Sequence, residues 1–377
     1  RNFDAPKFEA CRHNGKLEIH TEYLSLFYDE KPFSPGGLSI KVRSETRGIY
    51  STWHYGDKLR ENLGGTARTL DMADGEIPLR KGIQSRLQGY SVIDDSDSPL
   101  IESDGAIMSR TEKVIDLYFF GYGLEYQAAL NDFFELSGRP PMLPRYALGN
   151  WWSRFHAYSD GEYLNLMDRF RAERVPFSVA VMDMDWHITD ITAKQGKGWT
   201  GYNKELFRDP KNFLSQLHSR GLKCALNLHP AEGIQPHEEQ YVEAAVRMGL
   251  DPASGRDIPF DMCSKDFVDT YFKCLLKPRE DEGVDFWWID WQQGDASCID
   301  GADPLWLLNH FHTLHSAETN QRPLILSRYA GPGSHRYPIG FSGDTIISWD
   351  SLRFQPYFTA TAANIGYGWW SHDIGGH

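Results

Sequence analysis

Residues 284–291 read Val284-Asp285-Phe286-Trp287-Trp288-Ile289-Asp290-Trp291. An apolar run of strand length closes on a single acid, Asp290, set among three tryptophans. A carboxylate in apolar company is costly to bury, and such a group is more often kept for chemistry than for packing. Tryptophan offers a flat apolar face with a polar N–H edge, which suits a ring-shaped polar ligand such as a sugar.

On both sides of this run, from residue 146 onward, the chain alternates strand and helix. Strands are predicted at 146–152, 177–182, 222–228, 284–289, 323–327, 339–343 and 368–371. Ser159 and Glu162 form a capping-box pair that opens a helix with Tyr163, Leu166, Met167 and Phe170 on one face. Asp209-Pro210 opens another, which Gly221 ends. Further helices are predicted near 236–248, 264–277 and 350–364. Such alternation argues for a parallel sheet covered by helices. Seven strands in one series, with no Gly-x-Gly-x-x-Gly turn after the first, favour a (β/α)₈ barrel over an open doubly wound sheet. With about seven strands the barrel is expected to be incomplete. The chain then reads as a fragment or one subunit of a split protein, and a homo-oligomer or a complementing C-terminal chain is among the expected partners.

Before residue 138 the rhythm differs. Leu17-Glu18-Ile19-His20, Leu38-Ser39-Ile40-Lys41-Val42 and Val114-Ile115-Asp116-Leu117-Tyr118 alternate with period two between Gly- and Asp-rich breaks. This predicts an antiparallel, sandwich-like β domain over 1–137, with a closing helix near 124–137. Gly138-Arg139-Pro140-Pro141-Met142-Leu143-Pro144 is the linker to a barrel domain over 138–377.

Composition narrows the function classes. A net charge of −13 makes nucleic acid and anionic membranes poor partners. There is no run of about 18 apolar residues, and the first residues lack the pattern of a signal peptide. The five cysteines have no Cys-x-x-Cys spacing, so neither a zinc site nor a disulfide framework is expected, and buried free thiols are the reading. Asp94-Asp95-Ser96-Asp97 is read as a solvated loop rather than a calcium site. No cofactor is expected.

Barrel chemistry sits at the C-terminal ends of the strands. Those ends carry Asn150, Trp151 and Trp152; Asp183 and Asp185; Asn227 and His229; Asp290; Arg328; Asp344; and His372 with Asp373. Several acids, one arginine and tryptophans around one mouth point to glycoside hydrolysis, which needs one carboxylate as nucleophile or base and one carboxylic acid to protonate the leaving oxygen. Asp290, at a strand tip, suits the first role. Asp344, in the turn after Ser342-Gly343, suits the second. Of Asp183 and Asp185, alternation is expected to send one into the mouth. His229 and His372 read as supporting groups. Trp291 is the better stacking platform, with Trp288 and Trp370 as further candidates.

The chain resembles glycoside hydrolase family 31, the α-glucosidase and α-xylosidase family. The similar segments are Trp288-Ile289-Asp290, Ser327-Arg328, Phe341-Ser342-Gly343-Asp344, Asp373-Ile374-Gly375-Gly376, Asp183-Met184-Asp185, Trp199-Thr200-Gly201-Tyr202-Asn203-Lys204-Glu205-Leu206-Phe207 and Gly89-Tyr90-Ser91-Val92-Ile93-Asp94-Asp95-Ser96. The resemblance implies a retaining α-glycosidase acting on α-linked glucosides or oligosaccharides. Asp290 would be the nucleophile and Asp344 the acid and then the base, with Asp183, Arg328 and Asp373 gripping the sugar. Transglycosylation, lyase chemistry and a non-catalytic carbohydrate-binding or scaffold role are the alternatives. Trp291-Gln292-Gln293 stands where most members have Met-Asn-Glu, and Thr345 where most have Asn, which marks a divergent subgroup.

Overall fold

A computed structural model describes residues 6–43, 50–102, 106–189, 201–291, 293–320, 322–328 and 331–373. Trp199, Thr200, Gln292 and Ile374-Gly375-Gly376 of the segments above lie outside these residues.

The N-terminal part opens with a five-stranded antiparallel sheet, β1 (Phe8–His13), β2 (Lys16–Thr21), β3 (Leu24–Tyr28), β4 (Leu38–Arg43) and β5 (Tyr50–His54), paired in chain order. Period-two alternation puts Leu38, Ile40 and Val42 inward against Trp53 and Tyr90. Two further antiparallel pairs join β6 (Ser91–Asp94) to β9 (Leu117–Phe120), and β7 (Leu100–Ile101) to β8 (Ile107–Met108). Helix α1 (Tyr126–Ser137) follows. The antiparallel sheets fit the expected sandwich-like character.

The remainder builds one seven-stranded parallel sheet. Its strands are β10 (Trp151–Trp152), β11 (Val179–Met182), β12 (Lys223–Leu228), β13 (Phe286–Ile289), β14 (Ile325–Ser327), β15 (Gly340–Phe341) and β16 (Trp370–Ser371), each hydrogen-bonded to the next in sequence. This curled series is an incomplete (β/α)₈ barrel, with β10 and β16 at its edges. The connections carry α2 (Asp160–Ala172), α3 (Pro210–Ser219), α4 (Tyr241–Arg247), α5 (Lys265–Thr270), α6 (Lys277–Glu282), α7 (Pro304–Thr319) and α8 (Trp349–Ala363). None of the helices among the described residues is long and apolar enough to cross a membrane.

Local signals account for most boundaries. Ser159 and Glu162 form the reciprocal capping box of α2. Asp209 caps α3 with Pro210 in the first turn, and Gly221 beyond its end adopts φ +79. The expected strand over 146–152 is shorter, because residues Arg145–Leu148 form a 3₁₀ turn after Pro144. The stretch near 264–277 is not one regular helix. A π turn at Tyr271–Leu276 separates α5 from α6, since Pro278 has no N–H to return to the preceding turn. Helix α7 was not expected from periodicity. Its buried Leu305, Leu307, Leu308, Asn309 and His312 mix polar with apolar, which blurs the stripe, although Asp303 caps it at Leu305 N (2.9 Å) ahead of Pro304.

Alternation along the barrel strands sorts side chains into two layers. Val179, Val181, Ala225, Phe286, Trp288, Ile339 and Phe341 pack together inside the barrel. The intervening residues, Ala180, Met182, Cys224, Leu226, Trp287, Ile289 and Ile325, pack outward against Leu214, Leu217, Leu305 and Leu308 of the helices. Burial of each large side chain of this kind contributes roughly 1.5–3 kcal/mol.

The N-terminal part also reaches the barrel. Ala67, Leu70 and Ala73 pack on Phe354 and Phe358 of α8. Arg68 pairs with Asp303 at 2.6 Å, on the helix following β13. Of the cysteines, Cys224 and Cys274 are buried as expected, Cys263 is half-buried, and Cys11 and Cys298 are exposed free thiols.

Candidate active site

The inward layer of the sheet continues past the strand ends, and that continuation is the candidate site. After Phe286 and Trp288 comes Asp290; after Ala225 come Asn227 and His229; after Val179 and Val181 comes Asp183; after Leu324 and Leu326 comes Arg328. A two-residue period therefore converts apolar inner layers into a polar layer at the mouth.

Asp290 is 7% exposed and fully engaged. Its Oδ1 accepts from Arg328 Nε at 2.6 Å, and Arg328 Nη2 contacts the same oxygen. Its Oδ2 accepts from Asn227 Nδ2 at 3.0 Å, with His229 Nε2 at 3.2 Å. Hydrogen-bonding partners on both oxygens are what a buried carboxylate needs to stay in place. Three buried atoms of this inner layer, Asn227 Oδ1, His229 Nδ1 and Trp288 Nε1, have no hydrogen-bond partner among the described residues. Unpaired buried polar atoms cost about 1–3 kcal/mol each, and ligand hydroxyls are groups that relieve such a cost.

Arg328 is 1% exposed. Besides Asp290, its Nη2 reaches Asp344 Oδ1 at 3.1 Å, and its Nη1 pairs with Asp71 Oδ1. The guanidinium lies over the Phe341 ring, 5.1 Å from its centroid. Burial lowers its pKa from the ordinary value, opposed by Asp344 and by Asp373. One nitrogen in contact with both Asp290 Oδ1 and Asp344 Oδ1 brings the nearest oxygens of the two carboxylates to the same side of the mouth. Asp344 follows β15 by way of Gly343, whose φ of +77 makes the turn. Asp373 follows β16, is exposed, and its backbone N–H donates to Ser342 Oγ at 3.3 Å.

Asp183 caps the 3₁₀ turn Met184–Trp186, accepting the Met184 N–H at 2.6 Å. Residues 183 and 185 have the same parity, so alternation cannot separate them. The turn does, carrying Asp185 toward Thr189, whose Oγ1 donates to it at 3.4 Å. Burial pushes the Asp183 pKa up to about 6, helped by the charges of Asp290 and Asp185 and opposed by the Met184 N–H and His229. An acid whose folded pKa lies above its unfolded value destabilises the fold once ionised. The native state holds more protons between about pH 4 and 6, so stability falls as pH rises through that window. Asp183→Asn is therefore expected to raise stability by about 2 kcal/mol at pH 7 and to change little at pH 4. Denaturant titrations at the two pH values measure this, and equal effects at both would refute it.

Asp71 is the residue that sequence reasoning missed. It lies on the N-terminal segment, accepts the Asp344 backbone N–H at 2.8 Å, and shares Arg328. A single acid in an irregular loop carries no periodic or motif signal, and only the fold brings it to the mouth.

The description "Glycosyl hydrolases family 31 TIM-barrel domain" matches residues 140–377. The chain belongs to glycoside hydrolase family 31. Among its relatives, an α-xylosidase of Saccharolobus solfataricus is 25% identical over 84% of this chain and 45% of its own length. An α-xylosidase of Lactiplantibacillus pentosus is 25% identical over 98% of this chain and 50% of its own length. The chain thus spans about half the length of these curated relatives. A family 31 dextranase from Flavobacterium johnsoniae, solved with glucose, superposes with a TM-score of 0.71 at 17% identity, over 98% of this chain and 53% of that one. At that identity the likeness speaks for the fold.

Within this family 31 barrel the candidate tryptophans occupy different layers. Trp288 is on the inner layer below Asp290, edge-on to Phe341 at 5.6 Å. Trp291 is 4% exposed, packs on Phe260 at 4.9 Å and donates its indole N–H to Gly294 O at 2.8 Å. Trp370 packs between Phe358 of α8 and Tyr367, whereas its neighbour Trp369 meets the inner layer. The acids and Arg328 are brought together at the mouth; Trp291 and Trp370 are set into packing around it.

Proposed function

We propose that this chain carries the catalytic barrel of a retaining α-glycosidase acting on α-linked glucosides or oligosaccharides. The observation that carries the reading is the single Nη2 of Arg328 in contact with both Asp290 and Asp344. It supports the short carboxylate spacing of a double displacement. In the first step Asp290 forms a bond to the anomeric carbon while the glycosidic C–O bond breaks, and Asp344 gives its proton to the departing oxygen. In the second, Asp344 takes a proton from water as the water oxygen attacks the anomeric carbon and Asp290 leaves. Asp183 and Asp373 accept hydroxyls of the bound sugar, and Asn227 and His229 hold the nucleophile. The names of the relatives, α-xylosidases and an α-glucosidase among them, support an α-glycoside of glucose or a close sugar.

The test is Asp344→Ala in the intact protein. Turnover of an unactivated α-glucoside is expected to fall about 10²–10⁴-fold, with far less loss on a dinitrophenyl α-glucoside that needs no proton. Added azide should restore turnover and yield the α-glycosyl azide. Equal losses on both substrates would remove Asp344 from the acid role. Sugar binding by the wild-type protein with no turnover would instead make it a carbohydrate-binding unit.

A further inference from the structure

We propose that Asp71, contributed by the N-terminal segment, is a positioning residue for the acid/base carboxylate of the barrel. The inference rests on the role given above to Asp344. Three backbone hydrogen bonds lay the segment along the turn after β15: Leu70 N to Ser342 O at 3.2 Å, Met72 N to Asp344 O at 2.8 Å, and Ile346 N to Ala73 O at 3.0 Å. The effect is an added strand-like strap across the residues that carry the acid. Asp71 lies at its centre, and one oxygen, Oδ1, accepts both the Asp344 N–H at 2.8 Å and Arg328 Nη1. The Asp344 backbone is thus fixed on both sides, its N–H by the Asp71 side chain and its carbonyl by the next residue of the strap.

The position between them has no room for a side chain. A Cβ on Gly343 would collide with Asp71 Oδ1 and Arg328 Nη1, and Gly343 holds φ +77. Glycine there permits the close approach of the strap to the turn. Asp71 also divides the guanidinium. Nε goes to Asp290, Nη1 goes to Asp71, and Nη2 lies between Asp290 and Asp344. Without Asp71, nothing among these contacts would hold Nη1, and Arg328 would be free to rotate toward a two-pronged grip on Asp344. A carboxylate so gripped is kept ionised and makes a poor proton donor. Asp71 therefore supplies no atom to the reaction; it sets where Asp344 points and how much of Arg328 it receives.

The test uses Asp71→Ala and Asp71→Asn in the intact protein, each assayed on an unactivated α-glucoside and on a dinitrophenyl α-glucoside. Because both substrates are measured on one preparation, any loss of folded protein cancels in the ratio. Asp71→Ala is expected to lose on the order of 10²-fold in kcat/KM on the unactivated substrate, and less than about 5-fold on the activated one. Asp71→Asn keeps an acceptor for the Asp344 N–H and should recover part of that loss. Equal losses on both substrates, or no loss on the unactivated one, would overturn the proposal. Asp344→Ala is run alongside. If it shows the leaving-group selectivity and Asp71→Ala does not, only the role of Asp71 falls; if it lacks selectivity, the acid assignment falls and this inference with it.

Discussion

Asp290→Asn is expected to lower kcat by a factor on the order of 10⁴–10⁶ on every α-glycoside the protein turns over, activated or not. The amide keeps the shape of the carboxylate but not the electron pair that bonds to the anomeric carbon. Loss of the nucleophile removes both halves of a double displacement, so a good leaving group gives no relief. This sets the variant apart from Asp344→Ala, whose defect should depend on the aglycone. The fold should tolerate the change. The carbonyl oxygen of Asn can still accept from Arg328 Nε, and Asp344 and Asp71 remain to balance the guanidinium. A 5-fluoro glycosyl fluoride gives the matching test. It should add one sugar to the wild-type protein, on the peptide carrying Asp290, and none to the variant. Labelling of the variant, or a kcat within tenfold of wild type, would exclude Asp290 as the nucleophile.

Arg328→Met should have the largest effect on stability. The substitution keeps an apolar stem over Phe341 but removes a cation that touches Asp71, Asp290 and Asp344. Removing one partner from a buried ionic cluster costs about 3–5 kcal/mol, because the remaining charges stay buried without compensation. The sign of the pH dependence follows from the same charges. Carboxylates left facing one another bind protons more readily in the folded state than in the unfolded chain, so the variant binds more protons when native. Its deficit should therefore be largest near pH 7 and shrink toward pH 4.5. Urea titrations of wild type and variant at the two pH values measure the difference. A pH-independent deficit would mean that packing, not charge, is what Arg328 supplies. Activity should also be lost, since neither carboxylate would keep its orientation.

Much of the site could be read before any fold was known, and the reason is local. Trp288 and Asp290 share a parity, as do Asn227 and His229, and in a parallel strand parity decides which side chains face inward. Capping chemistry was equally local, as Ser159 with Glu162 and Asp209 with Pro210 show. The reading failed where local preference was overruled or ambiguous. Pro278 broke an apparently continuous helix into two around a π turn. Helix α7 escaped notice because its buried face includes Asn309 and His312. Asp183 and Asp185 could not be told apart by alternation, because they share a parity; the 3₁₀ turn that starts between them is what parts their side chains.

The alternation of strand and helix, the caps, and the polar residues that end the barrel strands were legible in the sequence alone, since these depend on neighbours a few residues away. How the charges are shared is a property of the folded chain. Arg328 meets Asp290 from an adjacent strand, Asp344 from the turn after the next, and Asp71 from 257 positions away. Coulomb and hydrogen-bond energies depend on separations of a few ångströms in space, whatever the distance along the chain. A lone loop acid such as Asp71 gains its meaning when the strap of residues 70–73 is laid against Gly343 and Asp344.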